Sequence, residues 1–256
     1  MKALALITGA TSGIGEELAR LLARLGHPLI LTGRREEKLL ALKQELPGSI
    51  EILAADLASP RERERLAALI REKKPIWVFN NAGFGAYGKT DETALKTLED
   101  MVEVNVDAVV EISWAAARAL KEGKLKGTIL NVSSMVGFSP YPGMATYAAT
   151  KAFVNSFSQS LDIELEGTGI RVLAACPGQT ATSFGDRASG KVRERKPSKW
   201  MMDPMAVAKE IVEQVEKGER IRIIDYRYRF LNRLRHLIPS TFLMRKTLKS
   251  LLKRAA

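Results

Sequence analysis

Seven short apolar runs punctuate the chain: ALALIT (3–8), LILT (29–32), IEILAA (50–55), IWVFN (76–80), TILNVS (128–133), IRVLAA (170–175) and RIRIID (220–225). Each is short, mostly apolar and bounded by turn residues, which suits a strand covered on both faces of a parallel sheet. The longer stretches between them are amphipathic at helical spacing; EELARLLARL brings Leu18, Leu21, Leu22 and Leu25 to one stripe. Strand and helix in repeated alternation predict an α/β fold: a single doubly wound domain over residues 1–225, with a seven-stranded parallel sheet and helices on both faces. A basic amphipathic extension, 226–256, follows it.

No linker, repeat or low-complexity tract divides the 256 residues, 46% of which are hydrophobic, enough for one sizeable core. The longest irregular stretch is expected at 183–200, SFGDRASGKVRERKPSKW, either as a lid on the substrate side or as a plain surface loop. The net charge of +11 is concentrated at one end: residues 226–256 hold nine Arg or Lys and no acid, which leaves +2 for the first 225. With no apolar run of membrane-spanning length and no leader-like start, a cytoplasmic protein is expected. One cysteine, Cys176, and two histidines, His27 and His236, exclude a disulfide framework and a Cys/His metal cluster, so no metal is expected.

After the first run comes TGATSGIGEELA, with Gly9, Gly13 and Gly15. A strand, a glycine turn and a helix opening at Gly13 aim free backbone N–H groups at an anion, and the missing side chains let a pyrophosphate come close. A dinucleotide is the expected guest of such a Rossmann-like loop, with Thr11, Ser12 and Ile14 beside the glycines, the other reading being glycines that serve only the turn. Its Gly-x-x-x-Gly-x-Gly spacing resembles that of the short-chain dehydrogenase/reductase family, and the resemblance extends over about residues 3–225. The second run ends LTGRREEKL, with Gly33 where the family's NAD users keep an aspartate, followed by Arg34 and Arg35. A carboxylate there would repel a 2′-phosphate whereas a guanidinium binds one through paired charge-assisted bonds, so NADP(H) is the expected cofactor. The other reading of the two arginines is a solvated helix start paired with Glu36 or Glu37.

The resemblance implies further roles. Asp56 and Leu57 match the family's adenine contacts, and Asn81, Ala82 and Gly83 match the segment that supports the adenosine. Pro177 and Gly178 match the segment facing the nicotinamide, with Thr180 and Thr182 as carboxamide contacts. Asn105 matches the asparagine that bends a helix and holds a water beside the family's lysine. Members usually form dimers or tetramers, so a homo-oligomer is expected.

Tyr147 and Lys151 stand four residues apart in TYAATKAF and share one helix face. A free phenol, with a pKa of about 10, is a poor proton acceptor near neutrality; a nearby cation favours the phenolate. Such a pair, with a second donor for the developing oxyanion, suits reversible reduction of a carbonyl. The family's serine lies thirteen residues before its tyrosine, which selects Ser134. By resemblance Lys151 and Tyr147 also contact the nicotinamide ribose. The expected catalytic set is therefore Asn105, Ser134, Tyr147 and Lys151.

Phe84, Tyr87, Phe138, Pro140, Tyr141, Met144, Phe184, Trp200, Met201 and Met202 are expected around the pocket, Met201 and Met202 being equally assignable to core. That lining favours a hydrophobic ketone or aldehyde. The basic tail either lies on an anionic membrane or packs on the domain or another subunit; no motif for nucleic acid accompanies its charge. Its length and the MMDP helix opening at Asp203 resemble 3-oxoacyl and hydroxysteroid reductases. The alternative function is a non-catalytic NADP(H)-binding sensor or scaffold; a sugar-nucleotide epimerase would be longer and differently spaced in its glycine loop.

Overall fold

The computed structural model describes residues 2–189 and 200–234. Its seven strands are β1 (Ala5–Thr8), β2 (Leu29–Gly33), β3 (Ile50–Ala54), β4 (Trp77–Asn80), β5 (Gly127–Val132), β6 (Ile170–Cys176) and β7 (Ile221–Ile223). All pair in parallel, in the order β3-β2-β1-β4-β5-β6-β7. The helices are α1 (Gly13–Arg24), α2 (Glu36–Glu45), α3 (Pro60–Lys73), α4 (Leu95–Val102), α5 (Ala108–Glu122), α6 (Ala145–Glu164), α7 (Phe184–Ser189), α8 (Pro204–Lys217) and α9 (Tyr226–Leu234).

The consecutive apolar positions of the strands are explained by two cores. Ile7, Leu29, Leu31, Leu130 and Leu173 face one side, where Leu18 and Leu22 of α1, Leu39 of α2 and Ile211 of α8 meet them. Their neighbours Leu6, Ile30, Ile129 and Val172 face the other side, against Leu66 and Ile70 of α3 and Ile112 and Leu120 of α5. Each such side chain contributes about 1.5–3 kcal/mol through burial, and alternation across the pleat commits successive residues to opposite cores.

Helix ends follow local chemistry. Ser59 caps α3 ahead of Pro60, and Asp203 caps α8 by accepting from Ala206 N at 2.9 Å ahead of Pro204. Gly218 then closes α8 in the left-handed conformation. The strand order reverses between β1 and β4, and the loops beyond the carboxyl ends of the strands form the crevice in which doubly wound sheets bind ligands. No helix among the described residues is long and apolar enough to cross a membrane.

One expectation changes, and one alternative is met by the described residues. The stretch after Ser183 is not irregular throughout, since α7 occupies its first part; residues 190–199 lie outside the described chain. So short a helix leaves little periodicity in the sequence. It is fixed by tertiary contacts: the Phe184 ring sits 5.3 Å from that of Tyr147, and Tyr87 N donates to Ala188 O at 2.8 Å. The described part of the basic tail, α9, is joined to the domain, with Arg229 donating to Ile223 O at 3.1 Å. The rest of the tail, including His236 and the second apolar pattern, lies outside the described residues.

Candidate functional site

A cleft of about 1050 Å³ runs along the carboxyl edge of the sheet. The glycine loop, Arg34, Arg35, Asp56 and Leu57 line one end, and Ser134, Tyr147 and Lys151 line the other. Asn81, Ala82, Gly83, Pro177, Gly178, Thr180 and Thr182 border it between them. Thus residues spread over more than 170 positions of sequence share one cavity.

At the first end Gly9 and Gly13 have φ of +66° and +60°, which only glycine adopts without strain. A Cβ on Gly15 would overlap Asn81 Nδ2 and the Gly9 carbonyl oxygen. Ser12 makes no side-chain cap on α1, so the first N–H groups of that helix are left for an anion. Arg35 lines this end as well, and one nitrogen of its guanidinium donates to Thr11 O at 2.9 Å and to Thr11 Oγ1 at 3.0 Å, tying the end of β2 to the glycine loop. Arg34 is exposed at the same rim. Neither arginine pairs with Glu36 or Glu37 among the described residues.

At the second end, α6 carries Tyr147 and Lys151 side by side beneath the carboxyl end of β5. Lys151 is 4% exposed; its Nζ donates to Val132 O at 2.9 Å and lies 5.8 Å from the centre of the Tyr147 ring. Burial pushes the Tyr147 phenol above its ordinary value, partly offset by the Ser134 hydroxyl, and pushes the Lys151 ammonium down to about 8. The expected lowering of the phenol by the ammonium is therefore not what dominates in the protein alone. Desolvation penalises both charged forms, and the ammonium points its proton at a backbone carbonyl.

Helix α6 is held against β5 by Ser133, whose hydroxyl donates to Lys151 O at 2.9 Å. Ser134 begins the 3₁₀ turn Met135–Phe138, and its Oγ faces Pro177 O at 3.5 Å. Asn105 is fully buried in a π turn, Glu103–Asp107, between α4 and α5. Its amide donates to Phe84 O at 2.9 Å and to Thr150 Oγ1 at 3.1 Å, and its Oδ1 accepts from Phe84 N at 3.1 Å. A Cβ on Gly83 would lie 3.0 Å from Asn105 Oδ1 and 3.3 Å from Lys151 Nζ, so this corner admits only glycine comfortably.

Met101, Met144 and Tyr147 form a small apolar cluster with Phe84, Tyr87, Tyr141 and Phe184. Of the other pocket expectations, Pro140 lines the cleft, whereas Phe138 and Trp200 do not. Met202 is 5% exposed and belongs to the sheet core, because its backbone pairs with Gln179 and Ala181 and turns the side chain inward. Thr182 packs against Gly13, toward the glycine-loop end of the cleft, and its Oγ1 accepts from Phe184 N at 3.3 Å.

The family model described as short chain dehydrogenase matches residues 3–192. The chain belongs to the short-chain dehydrogenase family. Sulfoacetaldehyde reductase 2 of Chromohalobacter salexigens is 36% identical over 201 residues, covering 74% of this chain and 79% of that one. A solved short-chain dehydrogenase from Sphingobium yanoikuyae in complex with NADPH superimposes with a TM-score of 0.81 at 32% identity, over 91% of this chain and 94% of that one. The bulky-bulky ketone specific alcohol dehydrogenase from Comamonas testosteroni superimposes with a TM-score of 0.77 at 30% identity, over 91% and 92%.

Several residues that shape the cleft of this short-chain dehydrogenase carry no local signal. The Thr8 hydroxyl accepts from Asn81 N at 3.0 Å and from Ala82 N at 2.9 Å, fixing the NNAG segment to the end of β1. Arg63 sits in the charged run PRERERL yet is 4% exposed, holding Leu57 O at 2.9 Å and pairing with Glu103 and Glu111. Asn80 donates to Asn131 Oδ1 at 2.8 Å, and Asn131 in turn to Ser158 Oγ at 2.9 Å, a buried polar chain from β4 through β5 to α6. Cys176 is buried, with its thiol pushed up to about 12 by burial, and is inert structure.

Proposed function

We propose that this short-chain dehydrogenase interconverts a hydrophobic ketone or aldehyde and its alcohol using NADP(H), with Tyr147 exchanging the proton. The observation that carries this reading is the convergence of Ser134, Tyr147 and Lys151 on one end of a cleft whose other end is a glycine cradle with an exposed arginine. The cradle suits a dinucleotide: side chains are excluded at Gly9, Gly13 and Gly15, and the opening of α1 is uncapped. When bound there, the nicotinamide supplies the hydride.

The chain's own residues supply position and protons. Arg34 binds the 2′-phosphate, while Arg35 keeps the glycine loop in register through Thr11. Tyr147, held protonated by burial, donates its proton to the carbonyl oxygen during reduction, and Ser134 hydrogen-bonds that oxygen. Lys151 orients the nicotinamide ribose, and Asn105 braces the Phe84 backbone beside it. The apolar cluster of Met101, Met144, Tyr141 and Phe184 keeps water from the reacting oxygen and favours an apolar substrate. The ketone-specific structural neighbour supports this substrate class, and the sulfoacetaldehyde reductase supports reduction of a carbonyl.

Cofactor choice is tested by titrating NADPH and NADH into the wild type and Arg34→Ala. Losing a charge-assisted bond to phosphate is expected to weaken NADPH by about 10–100-fold and to leave NADH unchanged. A wild type that prefers NADH contradicts the assignment.

A further inference from the structure

We propose that Tyr228, on the C-terminal helix α9, is a positioning residue for the nicotinamide half of the cofactor, acting through the Pro177–Thr182 segment. The proposal rests on the NADP(H) reading above and extends it to a part of the chain beyond the residues that the family model matches.

Helix α9 leaves β7 through Asp225, which has a φ of +73° and accepts from Arg227 N at 2.8 Å. Arg229, on the same turn, donates to Ile223 O at 3.1 Å. These contacts fix the direction of the helix and send Tyr228 back over the cleft, where it is part of the lining. Its ring lies directly on Gly178: a Cβ there would overlap Cε2 and Cζ and stand 2.5 Å from Cδ2. Only glycine at 178 admits this approach, so a side chain of the tail and a backbone position of the site fit one another.

The hydroxyl is used twice. It accepts from Gln179 N at 3.1 Å and donates to Trp200 O at 2.9 Å. Gln179 is also the start of a short parallel pairing, in which Met202 N donates to Gln179 O and Ala181 N to Met202 O, both at 2.8 Å. One phenol thus joins two stretches of backbone that are already paired at Thr180 and Met202. Upstream, Pro177 O accepts from Met135 N at 3.0 Å and faces Ser134 Oγ at 3.5 Å. A displacement at Gln179 is therefore passed to the 3₁₀ turn that presents Ser134. Glu, Asp or Lys side chains do not make these bonds; the α9 contribution is geometric.

The test is Tyr228→Phe, which keeps the ring on Gly178 and removes both hydroxyl bonds. Two probes are titrated into the full-length wild type and variant: NADPH, and adenosine 2′,5′-bisphosphate, which has the adenosine end without the nicotinamide. The variant is expected to bind NADPH about fivefold more weakly, the change that follows from one lost net hydrogen bond, and to bind the bisphosphate as the wild type does. Unchanged NADPH affinity overturns the proposal, and so does an equal loss for both probes, which would mean a general loosening of the fold. A wild type that binds neither probe removes the cofactor reading and this proposal with it.

Discussion

Tyr147→Phe is expected to slow NADPH-dependent carbonyl reduction by about 10²–10⁴-fold, the usual contribution of a positioned proton donor, with NADPH still bound. The substitution preserves the packing of the ring against Phe184, Met144 and Gly85 and removes only the hydroxyl. Burial holds the phenol above its ordinary range, so in the protein alone Tyr147 keeps its proton. It is suited to giving a proton in the reductive direction. For the reverse direction the phenol must first be made more acidic. Within the described structure the groups near it that could do so are the Ser134 hydroxyl, which already acts in that direction, and the Lys151 ammonium. Steady-state rates of wild type and variant under saturating NADPH decide the point, and a variant within tenfold of wild type would show that the proton comes from elsewhere.

Gly15→Ala is expected to cost about 1–3 kcal/mol of stability, the range for a group forced into a filled interior. At about 2–4 °C per kcal/mol for a chain of this size, thermal unfolding reads the loss directly. The reason lies in three backbone segments meeting at one point. Asn81 donates to Thr8 O at 2.9 Å and to Gly9 O at 3.3 Å across the position a methyl group would take, and the Gly9 carbonyl carbon is 3.0 Å from it. The obstacles are the Gly9 backbone and the Asn81 amide, which is itself bonded to Thr8 O and Gly9 O, so relief requires shifting the glycine loop or giving up those bonds. NADPH affinity is expected to fall along with the melting temperature. An unchanged melting temperature would mean that the loop is free to shift and that Gly15 serves some other purpose.

Much of this molecule can be read from its sequence, for identifiable reasons. A parallel strand buried on both faces leaves consecutive apolar residues, and the seven runs coincide with the seven strands to within a residue or two. The glycine spacing records close backbone approaches, and the structure shows what each excluded Cβ would strike. Tyr147 and Lys151 share a helix face because four residues make about one turn. Long-range partnership leaves no such trace. Arg63 looks like one more charge on a solvated helix until Glu103 and Glu111, distant in the chain, are folded beside it. Thr8, Asn80 and Asn131 read as ordinary strand residues, although their side chains tie neighbouring strands together.

Met202 and Arg35 illustrate the same limit from the other side. Residue type left Met202 open between cleft and core, and its pairing with the 179–181 segment turns the side chain into the core; Arg35 lines the cleft, but nothing in its spacing shows that Thr11 engages its guanidinium. Tyr228 is the opposite case. In a tail whose charge and amphipathic pattern left membrane binding and packing on the domain both open, the residue that reaches the cleft is recognisable only when Gly178 is seen beneath its ring. The desolvation of Lys151 is likewise invisible in the spacing, because burial is a property of the whole assembly around α6.

The central claim, that the cleft houses NADPH-driven reduction of an apolar carbonyl, is tested most directly by following NADPH oxidation by the wild-type protein. The substrates are ketones and aldehydes of graded chain length, with a small anionic aldehyde included. Turnover that improves with apolar size is expected. Preference for the anionic aldehyde would contradict the substrate class, and tight NADPH binding without turnover of any carbonyl would contradict the enzymatic reading in favour of a dinucleotide-binding sensor.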